Sequence, residues 1–368
     1  MGKKNRNKNK RPPAPPPPPK PKIPLKKRMV SNCMVAVLKY MTPNIRFRIS
    51  QAVPLMRREE YEAPLHMNRF VCEPAQMMIN NTVYKIDRIS SISYFDKDDK
   101  VGEPSNYLEF RTTSRRRCAL ERLLTDQTIE EAMIYLTGVF FSWRQGPVHV
   151  KCFGVIGNAS YLPGDITFKT KCLQLPHSGL EKAIESITTS IDESSFPLDT
   201  VVITEARRDH EIMPYHHQWI KEAGYLQILD RQKVVNWLPT MMALTNKEIH
   251  LQSWTFLKDE CAGLIEDFME MGRDPGTSIS IAMTEETDVK ELLQELKQLP
   301  GVVRDDKIPE MACAKFPRIT FLPIQESENK VMVYVTENEC AEQKNKQVYF
   351  SKWDVHIAIV KPNEPNQD

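Results

Sequence analysis

The chain has 368 residues, with 50 Lys plus Arg against 48 Asp plus Glu and a formal net charge of +2. Eleven of the basic residues and no acidic one lie in residues 1–28, which leaves 39 basic against 48 acidic over the other 340. That distribution argues against a globally basic nucleic-acid-binding domain. The scarcity of glycine, 13 residues, argues against nucleotide sites built on glycine loops, and neither GxGxxG nor a P-loop motif occurs.

The length allows two or three domains and a sizeable core. No apolar run is long enough for a membrane span, and Met1 is followed by lysines and prolines rather than an apolar stretch, so neither a membrane segment nor a secretory signal is expected. Eight cysteines (33, 72, 118, 152, 172, 261, 313, 340) are spread singly, without CxxC or a zinc-finger His spacing. They read as reduced thiols of an intracellular protein, cytoplasmic and/or nuclear. The sequons at Asn80 and Asn158 carry no weight in such a protein.

Residues 1–28 hold nine of the 27 prolines and predict an extended, solvated tail. Three roles are open for it: a solubilising segment, a basic cluster (Lys3 to Arg11) for nuclear import or RNA, or a proline-motif ligand. From Ser31 or Asn32 a helix is expected, with Met34, Val37, Leu38 and Met41 on one face. Pro43 starts a second helix, continued by Ile45, Ile49 and Val53. Thirty residues cannot bury such faces alone, so the segment needs the rest of the chain or another protein.

A short hairpin is predicted over Met77 to Ile89, broken at Asn80-Asn81, and a charged loop over Phe95 to Ser105. Helical spacing returns at Leu120, Leu123, Leu124, Ile129, Met133 and Leu136. From about residue 147 short β segments alternate with amphipathic helices. The β segments begin at Val148, Ile166, Val201, Leu226, Ile249 and Ile279. Helical stripes run through Leu180 to Ile191, Leu257 to Phe268 (closed by Gly272) and Val289 to Leu299, and Pro239 shortens or kinks a helix near Val235 to Met242. The alternation predicts an α/β fold with a parallel sheet and helices on one side, leucine-rich-repeat-like in outline although the LxxLxLxxN ladder is absent. A doubly wound sheet is the alternative, without its Gly-rich first turn. Two final strands, Val331 to Val335 and Val355 to Val360, would cap the sheet edge.

No catalytic constellation emerges, and no cofactor or metal site is expected. His210, His216 and His217 lack further ligand spacing and read as surface or capping histidines. His250 should point away from the Ile249 and Leu251 face. Cys261 falls on a buried stripe and reads as a core residue. The carboxylate pairs Asp98-Asp99, Glu285-Glu286 and Asp305-Asp306 sit at loop signals or helix starts, where the dipole alone favours them. Arg115 to Arg117 and Arg207-Arg208 lack interleaved aromatics, so any nucleic-acid contact would come from the tail.

Several blocks resemble the nematode-expanded F-box proteins of the F-box C group. AVLKYMTPNIRFRIS (Ala36 to Ser50), then Pro54 and Ala63 to Leu65, resembles that family's short N-terminal helical segment. MMINNTVYKI (Met77 to Ile86), Glu131 to Phe153, Leu244 to Gln252 and Leu264 to Met283 resemble later blocks in the same order, with Phe268 where the family tends to carry Trp. Between the tail (1–28) and the polar end (361–368), the resemblance implies an F-box-like segment (29–63), a mixed α+β part (64–145) and an α/β repeat-like part (146–360). It further implies a non-catalytic substrate receptor of a cullin-type ubiquitin ligase. The N-terminal helices would bind a Skp-type adaptor, and the repeat region would bind a protein substrate. The residues expected at the adaptor are Val37, Leu38, Met41, Pro43, Ile45, Phe47 and Ile49; packing of the same residues against 64–140 is the competing reading.

Overall fold

A computed structural model describes residues 25–89, 105–112, 118–122, 127–204, 215–230, 236–253, 256–305, 313, 315–337 and 351–361. Most of the basic tail, the Phe95 to Ser105 loop up to residue 104, Asp98-Asp99, Asp306, His210, both arginine clusters and the polar end from 362 lie outside these residues.

The N-terminal helices are α1 (Leu25–Tyr40), α2 (Pro43–Ala52) and α3 (Arg57–Glu62), with a 3-10 turn at Pro54–Met56. α1 starts before the expected Ser31 or Asn32 cap, because the Lys and Arg residues ahead of it are good helix formers. Pro43 takes the first turn of α2 after extended Thr42, where its fixed φ suits the helix and no N–H is missed. Strands β1 (His66–Glu73), β2 (Gln76–Ile79) and β3 (Thr82–Ile89) follow, the last two forming the predicted hairpin. Asn80 supplies the positive φ (53°) that its two-residue turn requires.

β4 (Ser105–Thr112) and β5 (Cys118–Arg122) extend this meander. Leu120 therefore lies in a strand rather than the predicted helix, since pairing with β4 overrides a short apolar spacing. α4 (Ile129–Phe141) begins only at Thr128. Its hydroxyl accepts the Glu131 N–H at 3.1 Å, while the Glu131 carboxylate accepts the Thr128 N–H at 2.8 Å.

The alternating part then runs β6 (Val148–Val155), β7 (Phe168–Pro176), α5 (Leu180–Ile187), β8 (Thr200–Thr204), α6 (Gln218–Lys221) and β9 (Tyr225–Asp230). It continues as α7 (Leu238–Ala243), β10 (Glu248–Ser253), α8 (Lys258–Met271), β11 (Ser278–Met283) and α9 (Glu286–Leu296). β12 (Val303–Asp305), β13 (Ile319–Pro323), β14 (Lys330–Glu337) and β15 (Trp353–Val360) close the chain. The strand expected at Ile166 begins instead at Phe168 and runs on to Pro176. Pro239 opens α7 rather than kinking it, and Gly272 terminates α8 at φ 64°.

The fifteen strands of the described residues join one mixed sheet, ordered β12-β13-β14-β15-β11-β10-β9-β8-β7-β6-β1-β2-β3-β4-β5. Its middle, from β1 through β6 to β11, is parallel, and from β6 onward these neighbours are also neighbours in sequence. β15 pairs antiparallel with β11 and caps that edge, as expected. The β1–β6 pairing carries the sheet across the predicted division at 145/146.

One face of the sheet is covered by helices. In register across it, Val201, Leu226, Ile249, Ile279, Ile357 and Val333 are buried. They share one core with Leu180, Ile184, Leu264, Phe268 and Leu292 of the helices. Each such side chain contributes roughly 1.5–3 kcal/mol through burial. Sequential parallel strands with same-handed crossovers put their helices on one side. The other face therefore carries the alternate residues.

Candidate functional site

The structure divides the residues expected at an adaptor. Val37 and Ile45 are exposed (59% and 47%), Met41 and Ile49 are half-buried, and Leu38, Pro43 and Phe47 are buried. Phe47 stacks on Phe140 at 4.5 Å and meets the edge of Phe141 at 6.2 Å. Val53, which the four-residue spacing included, is exposed as well, and so are two apolar residues that it did not single out, Tyr40 (92%) and Leu55 (88%). The helices thus turn Leu38 and Phe47 inward and leave an apolar edge in solvent.

The polar residues of the same string anchor it. Asn44 Nδ2 donates to the Ile79 carbonyl at 3.2 Å and to Thr82 Oγ1 at 2.9 Å, and its Oδ1 accepts the Tyr84 hydroxyl at 2.6 Å. Arg46, 1% exposed, donates to the carbonyls of Pro64, Glu60 and Ala63 at 2.6–2.9 Å. It also pairs with Glu60 Oε1 at 3.1 Å, and Arg144, from just beyond α4, reaches the same oxygen at 2.7 Å. Burial lowers the Arg46 pKa, the Glu60 charge partly restores it and Arg144 works against it. Two cations and one anion are therefore held in the interior by pairing and by backbone carbonyls. A cavity of about 240 Å³ lies beside this triad, lined in part by Tyr61, Arg144 and His149.

The open face of the sheet is a set of straight rows. One row runs Gln174, Val202, Gln227, His250, Ser280, His356 and Tyr334. All seven are half-buried, and none belongs to the hydrophobic core. His250 lies opposite Ile249 and Leu251, as its position predicts, but it is engaged rather than free: Nδ1 is 2.8 Å from Ser280 Oγ. His356 Nε2 is 2.8 Å from Thr336 Oγ1, and its ring stacks on Tyr334 at 4.6 Å. Burial pushes both histidines down to about 4, with His250 adding to the shift at His356, so both are neutral at pH 7. In the adjacent row burial pushes the Asp354 carboxyl up to about 6, and its Oδ1 is buried without a hydrogen-bond partner.

A second polar group sits at the C-terminal ends of β7 and β9 and escaped the sequence reading. The Tyr215 hydroxyl lies 3.1 Å from His177 Nδ1, and Trp237 Nε1 donates to Asp230 Oδ2 at 2.8 Å. All four are buried, which lowers His177 despite the nearby Asp230 charge and raises Tyr215. Their partners come from three separate stretches of chain, so no local spacing signals them. Tyr215 also lines a cavity of about 140 Å³, together with His216 and Lys221.

His217 caps α6, its Nδ1 accepting the Trp219 N–H at 3.2 Å, and Cys261 is fully buried in α8, both as expected. Burial raises the Cys261 thiol to about 12, far from a reactive thiolate. Among the described residues no group of three or more His, Cys, Asp or Glu side chains is arranged to hold a metal ion, and no helix is long and apolar enough to cross a membrane. What the arrangement offers is two surfaces suited to recognition: an apolar edge on anchored helices and a row of neutral polar groups on a sheet face.

Residues 128–285 match the model of a family described as a domain of unknown function, DUF3557. The match begins at the Thr128 cap of α4 and ends at Glu285, the residue before α9, so it takes in β6 to β11 with their helices. No curated protein and no solved structure matches the chain.

Proposed function

We propose that this chain is a non-catalytic, F-box-like substrate receptor acting in the cytoplasm and/or nucleus. Its N-terminal helices bind a Skp-type adaptor of a cullin-type ubiquitin ligase, and the open sheet face binds a protein target. In this reading the parallel run is a degenerate leucine-rich-repeat-like solenoid, whose neighbour-to-neighbour strand order suits an extended binding surface. The observation that carries the proposal is the exposure of Val37, Tyr40, Ile45 and Leu55 along the N-terminal segment, whose helices α2 and α3 are fixed to the body by a buried ion triad. Exposed apolar groups on a rigid support bind with little ordering cost.

A second reading, an interaction scaffold without a ligase link, is favoured by the burial of Leu38, Pro43 and Phe47. In that case the helices serve the core, and only the sheet face recognises a partner. Titration of the full chain with a purified Skp-type adaptor separates the two. Saturable binding that weakens by about tenfold or more in a folded Val37→Asp, Ile45→Asp variant supports the receptor. A folded wild-type chain that does not bind leaves the scaffold.

A further inference from the structure

We propose that Cys152 and Cys172 form a reactive dithiol site, which a hydroperoxide converts reversibly into a disulfide joining β6 to β7. The two residues are direct register partners on adjacent parallel strands. Hydrogen-bonded strands lie about 4.8 Å apart, inside the Cα separation a disulfide tolerates. Their sulfurs are already 3.3 Å apart, with the Cys172 thiol donating to Cys152. A bond of about 2.05 Å requires a further approach of roughly 1.3 Å.

Both side chains are half-buried on the open face, so a small oxidant can reach them. Arg69 follows in the same register row across β1, where its Nη2 is held by Gln174 Oε1 at 2.9 Å. The Cys172 hydrogen bond holds the Cys152 thiol down to about 7 against the effect of burial, and the Arg69 charge acts in the same direction. The same sharing raises Cys172, so the pair gives up its first proton near neutrality and keeps the second. The four other cysteines whose side chains are described lack this setting. Cys72 and Cys261 are buried with raised thiols, while Cys33 and Cys313 have no thiol partner described beside them.

The chemistry closes with the oxidant named. The Cys152 thiolate attacks the peroxide oxygen, the O–O bond breaks, and the leaving oxygen takes a proton to become an alcohol or water. The resulting Cys152 sulfenic acid is attacked by the Cys172 sulfur, which loses its proton. The S–O bond breaks, the S–S bond forms and water leaves. Two thiols and one hydroperoxide give one disulfide, one alcohol or water and one further water. A dithiol reductant reverses the bond.

The test treats the folded full chain with hydrogen peroxide at neutral pH, blocks free thiols with a maleimide and maps the unreduced digest by mass spectrometry. Lys169 and Lys171 allow trypsin to separate the two cysteines. The expected result is a Cys152–Cys172 linked peptide pair that disappears on reduction, while Cys72 and Cys261 stay unoxidised. In a Cys172→Ser chain, Cys152 should instead be trapped by dimedone as a sulfenic acid. Maleimide labelling of both cysteines in the wild-type chain after peroxide would overturn the proposal. So would a linked pair formed to the same yield in urea, which would reflect chance pairing rather than the fold.

Discussion

The N-terminal helices and the open sheet face handle charge in opposite ways. Around Arg46, Glu60 and Arg144, charges are buried and kept, because each meets a counter-charge or a carbonyl at 2.6–3.3 Å. On the sheet, the described partners of His250 and His356 are hydroxyls and an aromatic ring, and burial removes their charge instead. The difference follows from the partners. A hydroxyl satisfies a neutral imidazole but does not compensate an imidazolium. The first region is built to hold a segment in place, and the second to present neutral donors and acceptors in rows.

Breaking the first region should have the largest effect. Glu60→Ala leaves two buried guanidiniums without their anion and should destabilise the chain by about 3–5 kcal/mol, read from urea unfolding. Joint replacement of Arg46, Glu60 and Arg144 by apolar residues of similar volume should cost much less than that single change, because no charge is left unpaired. A triple variant as unstable as Glu60→Ala would mean that the hydrogen bonds to the Glu60, Ala63 and Pro64 carbonyls carry the region, not the ion pairing.

The second region should show itself in acid. Unfolded histidines take up protons below about pH 6.5, whereas His250 and His356 resist until about 4, so stability falls as the pH drops through that window. The loss should be on the order of 1–2 kcal/mol per histidine, allowing for their partial contact with solvent. Asp354 acts with the opposite sign. Its folded carboxyl takes up a proton near pH 6, before the unfolded one does, which offsets part of the loss between about 6 and 3.8. His250→Gln should flatten the acid limb of a denaturation-midpoint profile. Asp354→Asn should raise stability at pH 7 by roughly 1 kcal/mol and steepen that limb.

The smallest effect is expected at the apolar edge. Tyr40→Ser and Leu55→Ser should change unfolding by no more than about 0.5 kcal/mol, since both side chains are almost wholly in solvent. A larger loss in thermal or urea melts would place these residues in the core and remove the edge as a docking surface.

What the sequence disclosed follows the same division. The parallel strands were legible from β8 to β11 because each carries aliphatic residues that are buried at alternate positions, and each is separated from the next by a helical stripe or a turn. β1, β4, β12 and β13 were not; β1, for one, pairs with the distant parallel strand β6, which local spacing cannot register. The apolar periodicity of α1 and α2 located the helices but not their inner face. The apolar residues Val37 and Ile45 point out, while the cation Arg46 points in. That inversion is decided by Glu60 and Arg144, which lie 14 and 98 positions away, so no pattern within the segment could reveal it. The dithiol was hidden for a related reason: two cysteines 20 residues apart become neighbours only through strand register.

The central claim is that anchored helices offer an apolar edge to a partner while the sheet face stays free for another. Amide hydrogen exchange of the full chain, with and without a purified Skp-type adaptor, tests it most directly. Slowed exchange confined to α1, α2 and the Pro54–Met56 turn, with β8 to β11 unchanged, is the predicted result. Protection centred on the sheet strands, or none anywhere at saturating adaptor, would contradict it.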